Sequence, residues 1–269
     1  MFTPDFFATV LHLFGLSAGA LLIAAGLLHL LPRIGMRAVS TWFERAPGLD
    51  VWILYFTVLP QVAGTWLGGL AGFVGAVLGQ VAAVVIWTAL HELANQDKIK
   101  GPRIVSTLNR RVGPVRNHLA VWWTALAVPV FALVRIAQYI VYPPLVWLVR
   151  LPPYKASEWV NVSRHKFDGL VGHDLIWCLY CDWMTGVWSL GSEMLRNVES
   201  FWCPIRFRDD KKCANCSVDF PDVAGGWARA DGNMGDVVEV LEKQYGGRED
   251  HPWFGHPVRL TFDGKTREK

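Results

Sequence analysis

The chain has 269 residues, 52% of them hydrophobic and 18% charged, with a formal net charge of +3 and a mean hydropathy of +0.25. That balance excludes a disordered or collagen-like chain and a disulfide mini-scaffold, and it is too apolar for an ordinary soluble domain. Apolar runs of about 20 residues, the length that crosses a bilayer's hydrocarbon core, recur in the first half and predict an all-α membrane protein.

Residues 1–149 carry ten Lys/Arg against five Asp/Glu, and residues 150–269 carry sixteen against eighteen. The basic excess lies between apolar runs, where it marks the cytoplasmic side of a membrane rather than a nucleic-acid surface. Two domains are therefore expected: a transmembrane helical domain, 1–149, and a cysteine-rich extramembrane domain with an irregular tail, 150–269.

The first apolar run, residues 6–31, has His12 and His29 as its strongly polar side chains and stops at Pro32-Arg33. It predicts a retained transmembrane helix, because Met1-Phe2-Thr3-Pro4-Asp5 lacks the positive charge of a signal-peptide start and the apolar core is too long. The two histidines read as interfacial, with haem or chlorin ligation as the alternative. Residues 33–50, with Arg33, Arg37, Arg45, Trp42 and Phe43, form an amphipathic link suited to the cytoplasmic interface. The 40 residues 51–90 would reach about 60 Å as one helix, twice the hydrocarbon thickness, so the run must turn back, at Pro60-Gln61 or at Gly68-Gly69. Lys98, Lys100, Arg103, Arg110, Arg111 and Arg116 follow it. Basic flanks at both ends require an even number of crossings. Gly64, Gly68, Gly72, Gly75 and Gly79 make a seam where helix backbones can approach closely, either inside this chain or toward a partner subunit.

The third run, residues 118–149, is 32 residues long and contains Pro129, Arg135 and Pro143-Pro144. A single crossing would put the C-terminal domain outside the cytoplasm; a crossing with a return leg, broken at the prolines, would keep it inside. Arg135 is expected to snorkel to an interface. The sum is three to four crossings of a cell membrane, the inner membrane if the source is bacterial, with the C-terminal domain expected on the cytoplasmic side. Beyond residue 150 the aromatic content, with Trp159, Trp177, Trp183, Trp188 and Trp202, predicts a domain lying against the membrane. Residues 168–201 have a helical rhythm, 235–245 predict another helix, and the last twenty residues read as extended or irregular.

Cys178-Leu-Tyr-Cys181 and Cys213-Ala-Asn-Cys216 are separated by 31 residues, with Cys203 between them. Two such pairs can wrap a tetrahedral Zn²⁺, each pair covering one side of the ion, and an iron ion or iron-sulfur cluster could use the same thiolates. The fourth ligand stays open, because Cys203 could replace Cys178, and His165 or His173 could replace a thiolate. Cys178 could also be a buried apolar residue. The redox reading uses Trp177-Cys178-Leu-Tyr-Cys181, which resembles the WCxxC of thioredoxin-like oxidoreductases in those letters. It also resembles the membrane thiol oxidases of the disulfide-bond-forming and vitamin K epoxide reductase families. That resemblance implies a quinone-linked exchange through Cys178 and Cys181. It covers one tetrapeptide and the plan of a few helices, and here the motif follows the apolar runs instead of lying among them.

Other patterns carry less. His173, Asp174, Asp182, Glu193 and Glu199 lack the Glu-x-x-His pairs of a di-iron site and read as capping or solvated side chains. His91-Glu92 lacks a second zincin histidine and reads as a helix end. The expected function is a non-catalytic accessory or structural subunit of a larger membrane complex. Its expected partners are other membrane subunits and lipid, and no nucleic acid. The alternative is the quinone-linked thiol-disulfide oxidoreductase. A transporter ranks last, for want of intramembrane carboxylates and a repeated half.

Overall fold

The computed structural model describes residues 4–220 and 223–245. In chain order the helices are α1 (Pro4–Leu30), α2 (Arg37–Phe43), α3 (Gly48–Thr57), α4 (Leu59–Ala94), α5 (Gln96–Ile99), α6 (Ile104–Val112), α7 (Pro114–Thr124), α8 (Val128–Ile140), α9 (Tyr142–Val149), α10 (Ala156–Trp159), α11 (Gly172–Trp202), α12 (Asp210–Asp219), α13 (Val223–Gly226) and α14 (Met234–Tyr245). The protein is all-α, with no strand among the described residues. Three stretches among those residues are long and apolar enough to cross a membrane: Pro4–Leu30, Gly48–Ala94 and Pro114–Val149. The irregular tail expected after residue 249 lies outside the described residues.

Two compact units divide the chain, one made of Met1–Ala132 with Val160–Gly186, the other of Leu133–Trp159 with Val187–Lys269. The change of composition at residue 149 is a change of chemistry along the chain, and the packing units interleave across it.

In the first unit the long apolar run reverses at Gly68-Gly69, where the helix geometry of α4 is interrupted and Gly69 takes φ +55°. That left-handed conformation is open to glycine and costly for most other residues. Residues on either side of the reversal face each other. Gln61 Nε2 donates to Gln80 Oε1 at 3.1 Å, and Gln80 Nε2 donates to the carbonyls of Phe56 and Thr57, both at 2.8 Å. Each leg of this hairpin is of membrane-crossing length, since residues 48–67 reach about 30 Å at ~1.5 Å per residue.

α1 packs along the second leg, and the glycine seam is what lets it approach. A Cβ added at Gly75 would lie 2.5 Å from the Val10 carbonyl oxygen, and one at Gly79 would lie 2.7 Å from that of Phe14. Gly64 and Gly72 face each other across the hairpin. Of the two readings of the seam, packing inside this chain is therefore the one realised. The C-terminal ends of α1 and α4 lie together, with the rings of His29, Trp87 and His91 in mutual contact.

The basic links before and after the hairpin consequently emerge at one end of this bundle, and residues 160–174 are fastened there. The Ala46 N–H donates to the Val160 carbonyl at 2.9 Å and the Val162 N–H to that of Glu44 at 2.8 Å. Lys166 Nζ reaches Glu44 at 2.9 Å and Lys98 Nζ reaches Asp168 at 3.0 Å.

The second unit is built on the later half of α11 with α9, α12, α13 and the start of α14. Val223 and Trp227 are buried, with Cys216, Phe220, Val240 and Leu241 packed on them. The Arg206 N–H donates to the Ala228 carbonyl at 3.0 Å and the Ala228 N–H to that of Pro204 at 2.8 Å, tying the segment after α11 to the segment after α13.

Candidate functional site

Cys178 and Cys181 lie on one face of α11, because residues three apart on a helix are neighbours. Both are free thiols of intermediate exposure. The 160–174 segment brings the Arg164 guanidinium near them, so that its positive charge acts on both thiols. Asp182, one position on, holds that segment. Its Oδ2 accepts the N–H groups of Ser163 and Arg164 at 2.7 and 3.1 Å, and its Oδ1 lies 3.5 Å from Arg164 Nε. Burial pushes the Cys178 thiol above its ordinary value against the opposing pull of Arg164. The Cys181 sulfur, acting first, and the neighbouring Asp182 push Arg164 up.

A charged cluster lies one turn earlier. Arg103 Nη2 donates to Glu92 Oε1 at 2.6 Å, and its Nε lies 3.4 Å from Asp174 Oδ2. Asp174 also accepts the N–H groups of Ile104 and Val105 at 3.2 and 2.9 Å, which caps α6. Glu92 Oε1 and His91 Nδ1 accept the N–H groups of His173 and Gly172, each at 3.1 Å, which caps α11. The orphan donors of two helix starts are thereby satisfied by side chains far away in sequence. Burial works against the Asp174 carboxylate, but the His173 imidazole 3.8 Å away, the Val105 N–H and the charge of Arg103 outweigh it and hold the group below its usual range. His91-Glu92 does end a helix, as its sequence implies, and Asp174 and Asp182 are capping carboxylates. His165 reaches Glu44 at 3.2 Å, and the His173 ring lies against that of His118 at 4.9 Å.

In the second unit Cys213 and Cys216 share a face of α12, whose start is capped by Asp209 accepting the Lys212 N–H at 2.7 Å. Arg196 Nη2 donates to Cys216 Sγ. Arg196 is 5% exposed, pairs with Glu199 at 3.2 Å, and stacks its guanidinium over Phe220 and Trp227, 4.0 and 4.6 Å from their ring centres. Cys203 is exposed just after α11.

The same unit holds a polar interior. Asn197, fully buried, donates through Nδ2 to the hydroxyl oxygens of Tyr142 at 2.7 Å and Tyr154 at 2.8 Å. Tyr142 in turn donates to the Pro152 carbonyl at 3.0 Å. Burial raises Tyr154 far above an ordinary phenol, with Tyr142 and Glu193 adding to the effect. Arg135, expected to snorkel, is instead 4% exposed. It donates to Gln138 Oε1 at 2.7 Å and to the Tyr139 hydroxyl at 2.8 Å. Gln138 itself donates to the Val187 carbonyl at 2.7 Å. Burying a guanidinium is tolerable where neighbouring acceptors replace water, and these residues supply them.

Among the described residues, no group of three or more His, Cys, Asp or Glu side chains is placed to hold a metal ion. Each CxxC pair offers two sulfurs, and at Cys216 a guanidinium occupies the position a cation would take. Arg164, Arg196 and Asn197 were not singled out by sequence. Each acts through a long-range or buried contact, and none has a motif of its own. Comparison with protein families, with curated proteins and with solved structures finds no match.

Proposed function

We propose that this chain is a non-catalytic accessory subunit of a larger membrane complex, anchored by its apolar helices and presenting a cysteine-rich domain. The observation that carries the reading is the contrast between the spans. In the most apolar part of Pro114–Val149 only 6% of residues are buried, against 28% in Pro4–Leu30 and 33% in Gly48–Ala94. A crossing segment with so few fully buried residues leaves apolar side chains such as Leu133 and Ile136 exposed to pack on other helices, which in lipid is driven by contact and hydrogen bonding. Site-specific photo-crosslinking from Leu133 and Ile136 in native membranes tests it. One polypeptide captured from both positions and copurifying at fixed stoichiometry is the expected result; adducts with lipid alone would overturn it.

The reading includes the cytoplasmic side for residues 160–174. It is supported by their attachment to the links that carry Arg33, Arg37, Arg45, Lys98 and Lys100, since basic links stay in the cytoplasm. It also includes a cysteine-bound metal, most simply zinc, on the strength of the two CxxC spacings. About one zinc per chain, with thiols masked until a chelator is added, is the expected outcome of elemental analysis and thiol titration; five titratable thiols and no metal would remove the metal from the reading.

One observation favours a second reading. Cys178 and Cys181 are free thiols one turn apart on the same face of α11, beside the positive charge of Arg164, the arrangement a membrane thiol-disulfide oxidoreductase would need. Under that reading the 178–181 pair closes to a disulfide, its two electrons and two protons passing to a quinone. A thiol count that falls by two when purified protein is incubated with a soluble quinone would favour it, and an unchanged count would eliminate it.

A further inference from the structure

Helix α6 is fastened at its start and bare along one side. Asp174 accepts its first two N–H groups, and Arg103 just before it is tied to Glu92 in the last turn of α4. This pins α6 beside the end of the hairpin, where apolar chain gives way to charge. Its apolar positions repeat at four-residue spacing, yet Ile104, Leu108 and Val112 are 50%, 41% and 50% exposed. Beyond the turn at Gly113, which takes φ +88°, Val115 and Leu119 extend the bare surface at 70% and 67%. The same segment exposes Arg110, Arg111 and Arg116, and residues 104–124 contain no Asp or Glu.

An uncovered apolar stripe, cations without anions, and attachment beside the end of an apolar span together describe a helix that lies in a headgroup layer. We infer that α6 docks on an anionic bilayer surface. Ile104, Leu108 and Val112 enter the acyl boundary, and Arg110, Arg111 and Arg116 meet negatively charged, phosphate-bearing headgroups. The charge complement selects the occupant: an all-basic segment gains from an acidic lipid surface and gains little from a neutral one. The inference holds whether the chain is an accessory subunit or an oxidoreductase: Ile104, Leu108, Val112, Arg110 and Arg111 precede the third span, Arg116 and its neighbours lie in the first turns of that span, and no thiol is involved.

The test uses the full-length protein in nanodiscs of phosphatidylcholine alone or with about 30% phosphatidylglycerol, an anionic content that sets a negative surface potential. A diazirine analogue of leucine at position 108 is expected to capture lipid, with phosphatidylglycerol over-represented at least about threefold relative to its share. Amide exchange across 104–112 is expected to slow by about tenfold in the anionic discs, and the R110Q/R111Q/R116Q variant is expected to lose that difference. With the diazirine analogue kept at position 108, the Ile104→Gln/Val112→Gln variant, which keeps every charge, is expected to lose most of the lipid adduct. Gel filtration of each variant reports folding. Capture of protein instead of lipid at position 108, equal exchange in both discs, or a triple variant that keeps the anionic preference would each overturn the inference.

Discussion

Substituting Gly75 by alanine tests the seam that holds α1 to the hairpin. The new Cβ would sit 2.5 Å from the Val10 carbonyl oxygen and 3.1 Å from the Phe14 nitrogen, both backbone atoms. Reaching ordinary contact at 3.4 Å requires the two helices to part by about 0.9 Å there. Overpacking of this kind costs roughly 1–3 kcal/mol, and the separation forfeits dispersion contacts of about 0.1–0.2 kcal/mol per atom pair along the seam. Alanine's better helix propensity returns about 0.5–1 kcal/mol. Gly19 is the matched control, since a Cβ there meets nothing within 4 Å and only the propensity gain remains. The two variants should therefore differ by about 2–3 kcal/mol, or roughly 5 °C in melting temperature for a chain of this size. Heating each purified variant in detergent and measuring the surviving monodisperse fraction by fluorescence-detected gel filtration gives the comparison. Gly75→Ala melting with or above Gly19→Ala would refute close backbone approach as the basis of this packing.

Asp174 gives a pH prediction with a definite sign. Its folded pKa is depressed, so its stabilisation is present above the unfolded value of about 3.9 and is lost as pH falls through the folded value. Asp174→Asn should lower stability at pH 7 by about 3 kcal/mol, leaving Arg103 short of a partner, and should flatten the decline below about pH 4; equal acid profiles for the two proteins would contradict this. Asn197→Ala removes the donor shared by two buried tyrosines and should cost about 2–3 kcal/mol in thermal unfolding, with Tyr154→Phe milder. Burial pushes the Tyr180 phenol, which donates to the Thr124 carbonyl at 2.8 Å, up to about 12. Tyr180→Phe should then leave the ultraviolet titration of the folded protein unchanged below about pH 11.

The helical class and the need for the 51–90 run to fold back were legible in the chain, because both follow from lengths measured against a fixed membrane thickness. The turn was not: Pro60-Gln61 and Gly68-Gly69 were equal on composition. Proline fits at the start of α4, since the first turn of a helix lacks partners for its N–H groups, whereas Gly69 supplies the positive φ that a reversal demands. The seam glycines could be found by spacing, but which helix fills them could not.

Charge told a similar story. The basic flanks predicted that the 51–90 run returns to the end it left, since the cost of moving Lys and Arg across a bilayer is a property of the residues themselves. That residues 160–174 return to those flanks was invisible, because the ties are single hydrogen bonds and ion pairs such as Lys98 to Asp168 and Ala46 to Val160, spread over 70 to 122 positions elsewhere in the chain. Cys178 and Cys181 stood out by their spacing, and Cys213 and Cys216 likewise. Arg164, whose charge acts on the first pair, and Arg196, which donates to Cys216, did not, because an arginine in a sequence looks the same whether water or a sulfur faces it. The sequence by itself determined what depends on local chemistry and on the thickness of a bilayer: helices, candidate spans and the cysteine pairs. Only the tertiary structure decided where the run reverses, which helix closes the glycine seam and that Arg196 meets Cys216, since those depend on distances between parts of the chain that no local pattern encodes.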